Sequence, residues 1–501
     1  MAETKREIER KYESDDSGLP DLTGVAGVAT VLDKGVTELD ATYYDTADER
    51  LAAASITLRR RTGGPDAGWH LKLPVAPGIR DEVRAPLGDS IPRTLAALVR
   101  SRVRGAELLP TVRLRSDRDL RDLLDADGRL LAEVSMDAVR ADRLTGKGGH
   151  AQWTEIEVEL ADGGDPAFLD RVEKRLRKAG VRPSGSTSKL ARALADTAPG
   201  KKKRRHRPAP DPVTAGDHVL AYLRAQRDAI VALDPAVRRD TYDSVHRMRV
   251  ATRRMRSAFR TYRRVLDRTV TDPVGEELKW LAGELGIDRD QEVLTERLTA
   301  ALDELPRQLT VGPVRTRLRT WSHARTGGSR RRLITVLDGA RHLALLDALD
   351  ALIADPPLLP AAAGRPEKVI AKAVRKDFAA LAHRIEHALE LPPGHDRDLA
   401  LHEARKKAKR TRYAAEAATL ALGDKAAGLV RSTKSLQSLL GDHQDSVMTR
   451  EALRTIAAQA HDAGESSFTY GLLYGREERR AERSENALPA AWATIARETE
   501  L

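Results

Sequence analysis

The chain has 501 residues, a formal charge of +11 and no cysteine. The length is typical of two or more domains, and the lack of cysteine excludes disulfides and thiolate metal sites. No stretch reaches the apolar length of a membrane span, and the charged first residues contain no signal-peptide core, so a soluble cytoplasmic protein without a membrane partner is expected.

Positive charge is concentrated in the second part of the chain. Residues 1–195 contain 32 Lys and Arg against 33 Asp and Glu, and the remainder contains 54 against 42. This imbalance favours a polyanionic partner for the second part. The alternative is that arginine merely solvates its helices, since a charge run is usually a solvated face.

Residues 1–195 alternate apolar and polar positions between turns rich in Gly, Pro and Asp, which predicts antiparallel strands. Eight segments qualify: 5–12, 41–45, 55–61, 68–74, 79–85, 110–115, 130–140 and 152–160. Helices are predicted over 22–33, 92–102 and 166–179. Eight strands are enough to close into a barrel.

One face of these strands is charged. Glu7, Glu9 and Lys11 alternate within the first strand, so they project from one face. If that face points outward, it is simply solvated. If the sheet closes with it inward, buried charges of both signs require a ligand. Carboxylates suit Mg²⁺ or Mn²⁺ and Arg or Lys suit phosphate, which predicts a metal-assisted phosphoryl site.

The motif Glu7-Ile8-Glu9-Arg10-Lys11 resembles the ExExK signature of the CYTH superfamily, the triphosphate tunnel metalloenzymes. Further matches follow at 44–46, 58–61, 71–72, 155–157 and 188–189. The resemblance implies an eight-stranded antiparallel tunnel that holds a triphosphate and divalent ions.

The resemblance also implies roles for individual residues. The metal ligands it implies are Glu7, Glu9, Glu155, Glu157, Glu159 and Asp137. The phosphate contacts it implies are Lys11, Arg59, Arg61, Lys72, Arg80, Arg84, Arg113 and Lys189. The catalytic set it implies is Glu7, Glu9, Lys11, Arg59 and Arg61.

Residues 196–214 are rich in Pro and basic residues without apolar periodicity, which predicts a linker. A localisation signal or an anion-binding arm is the alternative. From residue 215 to 501 the period is 3.6 throughout, which predicts an all-α domain.

A basic stripe follows one edge of a predicted helix. Its members recur at steps of three and four: His246, Arg249, Arg253, Arg256, Arg260 and Arg263. The same spacing recurs 156 residues later in a second predicted helix, at His402, Arg405, Lys409 and Arg412. The pairs Lys279 and Lys434, and Gly286 and Gly441, repeat at an offset of 155. The repeat predicts two pseudo-symmetric halves that bring both stripes to a shared surface.

These helices resemble the CHAD domain, which often follows a CYTH domain. The resemblance implies two pseudo-symmetric four-helix bundles that bind inorganic polyphosphate on a basic surface. The contacts predicted there are His246, Arg249, Arg253, Arg254, Arg256, Arg260, Lys279, Lys372, Arg375, Lys376, His402, Arg405, Lys406, Lys409, Arg410, Arg412 and Lys434. For the two histidines, capping or packing of a helix is the alternative.

Together these features favour a metal-dependent hydrolase of tripolyphosphate or a related triphosphate, joined to a polyphosphate-binding module. The main alternative is a non-catalytic polyphosphate binder that targets the protein to polyphosphate granules. Nucleic acid is a weaker candidate because the aromatic content, 4%, is low for base stacking. The oligomeric state is open.

Overall fold

The computed structural model describes residues 3–14, 18–146, 148–198, 211–326 and 328–498. It divides into two compact units, Met1–Arg207 and Pro208–Leu501. Most of the predicted linker, residues 199–210, lies outside the described residues.

The first unit is a closed antiparallel barrel of eight strands with a short ninth strand beside β1. The strands are β1 Glu3–Glu13, β2 Thr30–Asp45, β3 Thr57–Thr62, β4 Gly68–Ala76, β5 Ile79–Ala85, β6 Leu109–Leu124, β7 Leu130–Arg143, β8 His150–Leu160 and β9 Arg182–Pro183. Their order is β5-β4-β3-β2-β6-β7-β8-β1-β9, with an additional β5–β1 pairing. The predicted barrel is confirmed.

Strand β1 closes the barrel by changing partners along its length. Its first half pairs with β5, where Glu7 lies opposite Arg80. Its second half pairs with β8, where Glu9 and Lys11 lie opposite Glu159 and Glu157. Because paired residues share a face, this register brings the charged positions of three strands together inside the barrel.

Four helices accompany the strands: α1 Arg50–Ala53, α2 Arg93–Val103, α3 Ala167–Lys178 and α4 Lys189–Asp196. The helices predicted over 92–102 and 166–179 are confirmed, but the one over 22–33 is wrong. Gly24 and Gly27 have φ of 79° and 91°, so the chain turns there. The long strand β2 then begins at Thr30 and occupies the remainder of that segment.

The apolar residues of the barrel pack in three places. Outside, one cluster joins Tyr12, Ile156 and Val158 to α3, and a second joins β3, β4 and β5 to α2. Inside, Tyr43, Val112 and other apolar residues of β2, β6, β7 and β8 pack against α4. One part of the lumen is therefore filled, and the charged side chains line the remainder.

The second unit is helical throughout its regular secondary structure. Its α-helices are α5 Ala215–Arg238, α6 Ser244–Thr261, α7 Arg268–Glu284, α8 Ile287–Asp303, α9 Val314–Thr326, α10 Ser329–Asp338, α11 Ala340–Ala354, α12 Pro366–Glu390, α13 His395–Leu422, α14 Asp424–Asp462 and α15 Phe468–Glu498. Helices α6 and α13, which carry the two stripes, pack against each other. Their apolar edges are buried, as Met248 and Met255 on α6 and Ala404 and Ala408 on α13 illustrate.

Candidate functional site: a charged tunnel and a basic groove

The open part of the barrel lumen is a cavity of about 290 Å³. The basic side chains that line it are Lys5, Lys11, Arg59, Arg61, Lys72, Arg80, Arg84, Arg118 and Lys189. The acidic side chains that line it are Glu7, Glu9, Asp66, Glu82, Glu133, Glu157 and Glu159. The lining therefore has a surplus of two positive charges, which suits an anion.

The glutamates of β1 point into this cavity and meet lysines there. Glu7 and Glu9 are 2% and 6% exposed. Lys72 Nζ lies 2.6 Å from Glu7 Oε2, and Lys11 Nζ lies 3.3 Å from Glu9 Oε1 and also contacts Glu157. Burial raises the pKa of Glu7 to about 7, because it outweighs the attraction of Lys72. For Glu9 burial also disfavours the charge, but Lys11 and Lys72 lower its pKa overall.

Glu82 of β5 anchors the basic side of the lumen. Its Oε1 lies 2.9 Å from Nδ1 of His70, and 3.8 Å from the side chains of Arg59 and Lys72. These neighbours outweigh burial and hold the pKa of Glu82 far below its ordinary value. Burial lowers the pKa of His70 to about 4, so this histidine is neutral near pH 7. Glu82 is therefore an ionised anchor for the cations around it.

Lys189 reaches the lumen from the first turn of α4. Ser188 caps that helix by accepting a hydrogen bond from the Ala191 amide, which fixes where the turn begins. The Lys189 ammonium then lies 3.0 Å from Asp137, 2.7 Å from Glu155 and 2.6 Å from Glu157. It is buried, yet these carboxylates outweigh burial and raise its pKa.

The carboxylates of the lumen fit a divalent cation. Oxygens of Asp137, Glu155 and Glu157 lie within 4.8 Å of one another, around the Lys189 ammonium. Glu7 Oε2 is buried 2.6 Å from the Lys72 ammonium. A carboxylate oxygen that faces one ammonium group retains a lone pair for a cation. Oxygen donors of this kind suit Mg²⁺ or Mn²⁺.

The tunnel residues predicted from sequence are brought together, with one exception. Arg113 lies on the outer face of β6, where its Nε donates to Asp40 at 3.0 Å, so the prediction that it faces the tunnel is wrong. The inward arginine of this strand is Arg118, which donates to Asp137 at 2.8 and 2.9 Å. Asp137 and Glu155 lie deeper than the other predicted ligands, around the Lys189 ammonium.

In the helical unit, both stripes line one groove of about 580 Å³, here called the basic groove. Its lining residues are His246, Arg249, Arg253, Val293, Leu294, Arg297, His402, Arg405, Lys406, Lys409, Gln444, Asp445, Met448 and Thr449. Arg297 of α8 was not predicted, because the residue at the equivalent repeat position is Ala452. It is held by buried Glu477 at 2.6 Å and by Ser446 at 2.8 Å.

The cations of the basic groove repel one another. Burial, followed by Arg253, Arg405 and Arg249, lowers the pKa of Lys409 to about 7. Burial and Lys406 also lower the pKa of His402, whose Nδ1 lies 2.6 Å from Gln444. Cationic neighbours that help to lower the pKa of a lysine to this degree create a positive potential, which is typical of an anion-binding site.

A second basic cavity of about 470 Å³ lies further along α6 and α13. Its lining residues are Arg256, Phe259, Arg260, Arg263, Arg268, Thr271, Asp272, Gly275, Glu276 and Arg410. Arg410 is also paired with Asp377 at 2.8 Å. Because α6 supplies Arg253 to the groove and Arg256 to this cavity, one helix connects the two.

Several predicted polyphosphate contacts line neither cavity. Arg254 and Arg412 pair with Glu416 at 2.8 and 3.5 Å. Lys279 is exposed and pairs with Glu276 at 2.9 Å. The remaining members, Lys372, Arg375, Lys376 and Lys434, are exposed on α12 and α14.

Family models match both parts of the chain. A CYTH domain model matches residues 5–194, and a CHAD domain model matches residues 221–454. The chain belongs to the CYTH and CHAD families. Uncharacterized proteins MT2285 and Rv2226, from two strains of Mycobacterium tuberculosis, are each 40% identical to it over 503 residues, covering 97% of this chain and 95% of the relative.

Solved structures that resemble parts of the chain have lower identities. PptA from Streptomyces chartreusis is 22% identical, with 56% of this chain and 99% of PptA covered at a TM-score of 0.48. The CHAD domain from the plant Ricinus communis is 20% identical, with 57% and 93% covered at 0.45. The putative adenylyl cyclase HpAC1 from Hippeastrum, described as having a dominant triphosphatase activity, is 17% identical, with 38% and 95% covered at 0.24.

A search of the described residues for membrane spans gave none: no helix there is both long and apolar enough to cross a bilayer.

Proposed function

We propose that the CYTH domain hydrolyses inorganic tripolyphosphate or a related triphosphate with Mg²⁺ or Mn²⁺, and that the CHAD domain binds inorganic polyphosphate. The observation that carries the first part is the enclosed cavity lined by charges of both signs. A phosphate chain suits the cations, and a divalent ion suits the carboxylates.

The charge balance of the cavity supports the binding of divalent metal ions together with the phosphate chain. Nine cations and seven carboxylates line it. A tripolyphosphate, with roughly four to five negative charges near neutral pH, would leave the lumen negative by itself. One or two divalent ions would return the filled cavity close to neutrality, which a low-dielectric interior requires.

In this mechanism the residues of the barrel bind and orient the phosphate chain. Arg59 and Arg61 on β3 and Lys72 on β4 contact phosphate oxygens and stabilise charge as the terminal bond breaks. Arg61 suits this role because burial and the adjacent Arg59 and Arg118 lower its pKa to about 9. A bound anion would offset this unfavourable environment of the positive charge. Lys11 and Lys189 complete the cationic wall. A bound divalent ion would supply charge neutralisation and orientation of the reacting oxygens.

Glu7 and Glu9 are the proposed centre of the metal site, with Glu157 and Glu159 from the facing strand β8 as further ligands. Strand β1 holds the first two on one face, and its register with β8 sets Glu9 beside Glu159. Asp137 and Glu155 instead hold Lys189 and Arg118 in place.

The basic groove of the CHAD domain is the proposed polyphosphate site. Helices α6, α8 and α13 contribute cationic side chains to it. The pKa of Lys409 is lowered in the free groove and rises when an anion binds, so the lysine then becomes fully protonated. Both domains lie on one chain, so polyphosphate held by the CHAD domain raises the substrate concentration near the tunnel.

A non-catalytic role, with both domains holding polyphosphate and directing the protein to polyphosphate granules, is the second candidate. It is favoured by one observation: the proposed metal ligands already have lysine partners. Lys72 faces Glu7, Lys11 faces Glu9 and Glu157, and Lys5 lies 2.7 Å from Glu159.

Phosphate release by the whole chain distinguishes the two functions. The substrates are tripolyphosphate, long polyphosphate, ATP and thiamine triphosphate, each with Mg²⁺, Mn²⁺ or a chelator. We expect release from at least one triphosphate, loss of it with chelator or in Glu9→Gln, and retention of polyphosphate by Glu9→Gln. Protection of every substrate would support the binder, and loss of both properties in Glu9→Gln would refute the assignment of the domains.

A further inference from the structure

Two arginines of the basic groove each lie beside a glycine of a neighbouring helical segment. A Cβ added at Gly286 would lie 2.8 Å from Nη2, 2.9 Å from Cζ and 3.0 Å from Nε of Arg249. The nearly equal distances mean that the face of the Arg249 guanidinium covers Gly286. A Cβ added at Gly441 would lie 3.4 Å from Nη2, 3.6 Å from Nε and 3.9 Å from Cζ of Arg405, so Arg405 turns its Nη2–Nε edge toward Gly441 at van der Waals distance.

The backbone does not explain these glycines. Neither has a positive φ, and Gly286 has φ of −95°, which any residue adopts. Gly441 lies within α14, where alanine would be the better helix former. What the two positions share is a neighbouring arginine, which at Gly286 occupies the space of a side chain and at Gly441 borders that space.

A contact between a groove arginine and a glycine occurs once in each half of the repeat. Arg249 on α6 covers Gly286 between α7 and α8, and Arg405 on α13 turns an edge toward Gly441 on α14. Both arginines line the basic groove. The contacts thus give a physical reason for the glycine that is repeated at an offset of 155.

We propose that Gly286 and Gly441 are positioning residues for polyphosphate binding, each serving as a seat that holds one arginine in its binding orientation. This inference rests on the proposed polyphosphate function of the CHAD domain. The seat restricts a long side chain that otherwise samples many rotamers, so less conformational entropy is lost when the guanidinium binds phosphate. Two such seats hold one phosphate chain from both halves of the repeat.

The geometry around Arg405 supports this role. Its Nε is buried and has no hydrogen-bond partner among the described residues. Its Nη2 lies 3.9 Å from Asp445 Oδ1, too far for a hydrogen bond. The ion pair with Asp445 alone therefore does not fix this guanidinium, and the lack of a side chain at Gly441 leaves room for its Nη2–Nε edge.

The test compares Gly286→Ala with Gly283→Ala in the whole chain. Gly283 lies one turn earlier, in α7, and a Cβ there meets nothing within 4 Å. We expect Gly286→Ala to displace Arg249 and weaken binding of long-chain inorganic polyphosphate about tenfold, the value of one charged hydrogen bond. Gly441→Ala should cause a smaller loss because its Cβ would remain 3.4 Å from Arg405. Gly283→Ala should bind as the wild type does.

A double-mutant cycle separates positioning from general damage. If the glycine acts through Arg249, adding Gly286→Ala to Arg249→Ala should cause no further loss of affinity. Equal binding by Gly286→Ala and Gly283→Ala, or additive losses in the cycle, would overturn the inference. If the wild type itself does not bind polyphosphate, the proposed function fails; if it binds and only the glycine variants are neutral, the seat alone fails. Circular dichroism at each step verifies that the variants are folded.

Discussion

A rise in pH should weaken polyphosphate binding by neutralising Lys409. Burial lowers the pKa of Lys409 most, and the positive charges of Arg253, Arg405 and Arg249 lower it further, while Asp445 on α14 has the opposite effect. A bound polyanion offsets this repulsion, so the complex favours the protonated lysine. With a free-state pKa of about 7, the protonated fraction falls from about 0.9 at pH 6 to about 0.1 at pH 8, and affinity should fall about tenfold with it.

Isothermal titration calorimetry at pH 6, 7 and 8 and constant ionic strength measures this fall. Buffers of different ionisation enthalpy should also reveal uptake of nearly one proton on binding at pH 8. The matched control is Lys409→Arg, which keeps the charge at every pH and leaves His402 and the terminal phosphates unchanged. A pH dependence that is the same in Lys409→Arg and the wild type would refute the reasoning.

Two further predictions concern the tunnel and the length of the bound chain. Arg118→Met should lower kcat/KM for tripolyphosphate at least about tenfold, since it removes a cation of the lumen, whereas Arg113→Met on the outer face of β6 should keep it; equal losses in steady-state assays would contradict the assignment. The helix between His246 and Arg260 is about 21 Å long at about 1.5 Å per residue, so affinity should rise with chain length until the phosphate chain spans this distance and then level off. Arg260→Ala should weaken binding of long chains but not of tripolyphosphate, and competition assays that show equal loss for both would exclude a single continuous track.

The inward face of β1 could be predicted from the sequence because the large apolar residues of this strand share one face. Glu7, Glu9 and Lys11 alternate with Ile8, Arg10 and Tyr12, and because Ile8 and Tyr12 pack outside the barrel, the first set faces inward. Only the ion-pair partners of these residues, which depend on the register of distant strands, required the structure.

The same rule gives a wrong prediction for one residue of strand β6. Arg113 alternates with Val112 and Leu114, so a charged inner face predicts that the arginine turns inward. Val112 and Leu114 instead fill the apolar part of the lumen, and the inner face becomes charged only further along, at Arg118. The change from apolar to charged residues along the inner face of β6 depends on where α4 fills the barrel. The local sequence of the strand does not specify that position.

The basic groove was predictable for a different reason. The two stripes share a spacing, and pseudo-symmetry brings repeated surfaces together, as His246 and His402 in one groove illustrate. Residues without a counterpart in the repeat, such as Arg297, could not be found in this way.

The end of α4 decides where the first domain can be separated from the second. Thr197 is buried, its hydroxyl donates to the Ala193 carbonyl at 2.6 Å, and its backbone lies against Gly149 just before β8. A fragment that stops before Lys189 would leave Asp137 and Glu155 without their ammonium partner in the interior. Any preparation of the barrel alone should therefore extend beyond Thr197, so that α4 remains anchored at its end. Lys189 in its first turn then stays beside the carboxylates of Asp137 and Glu155.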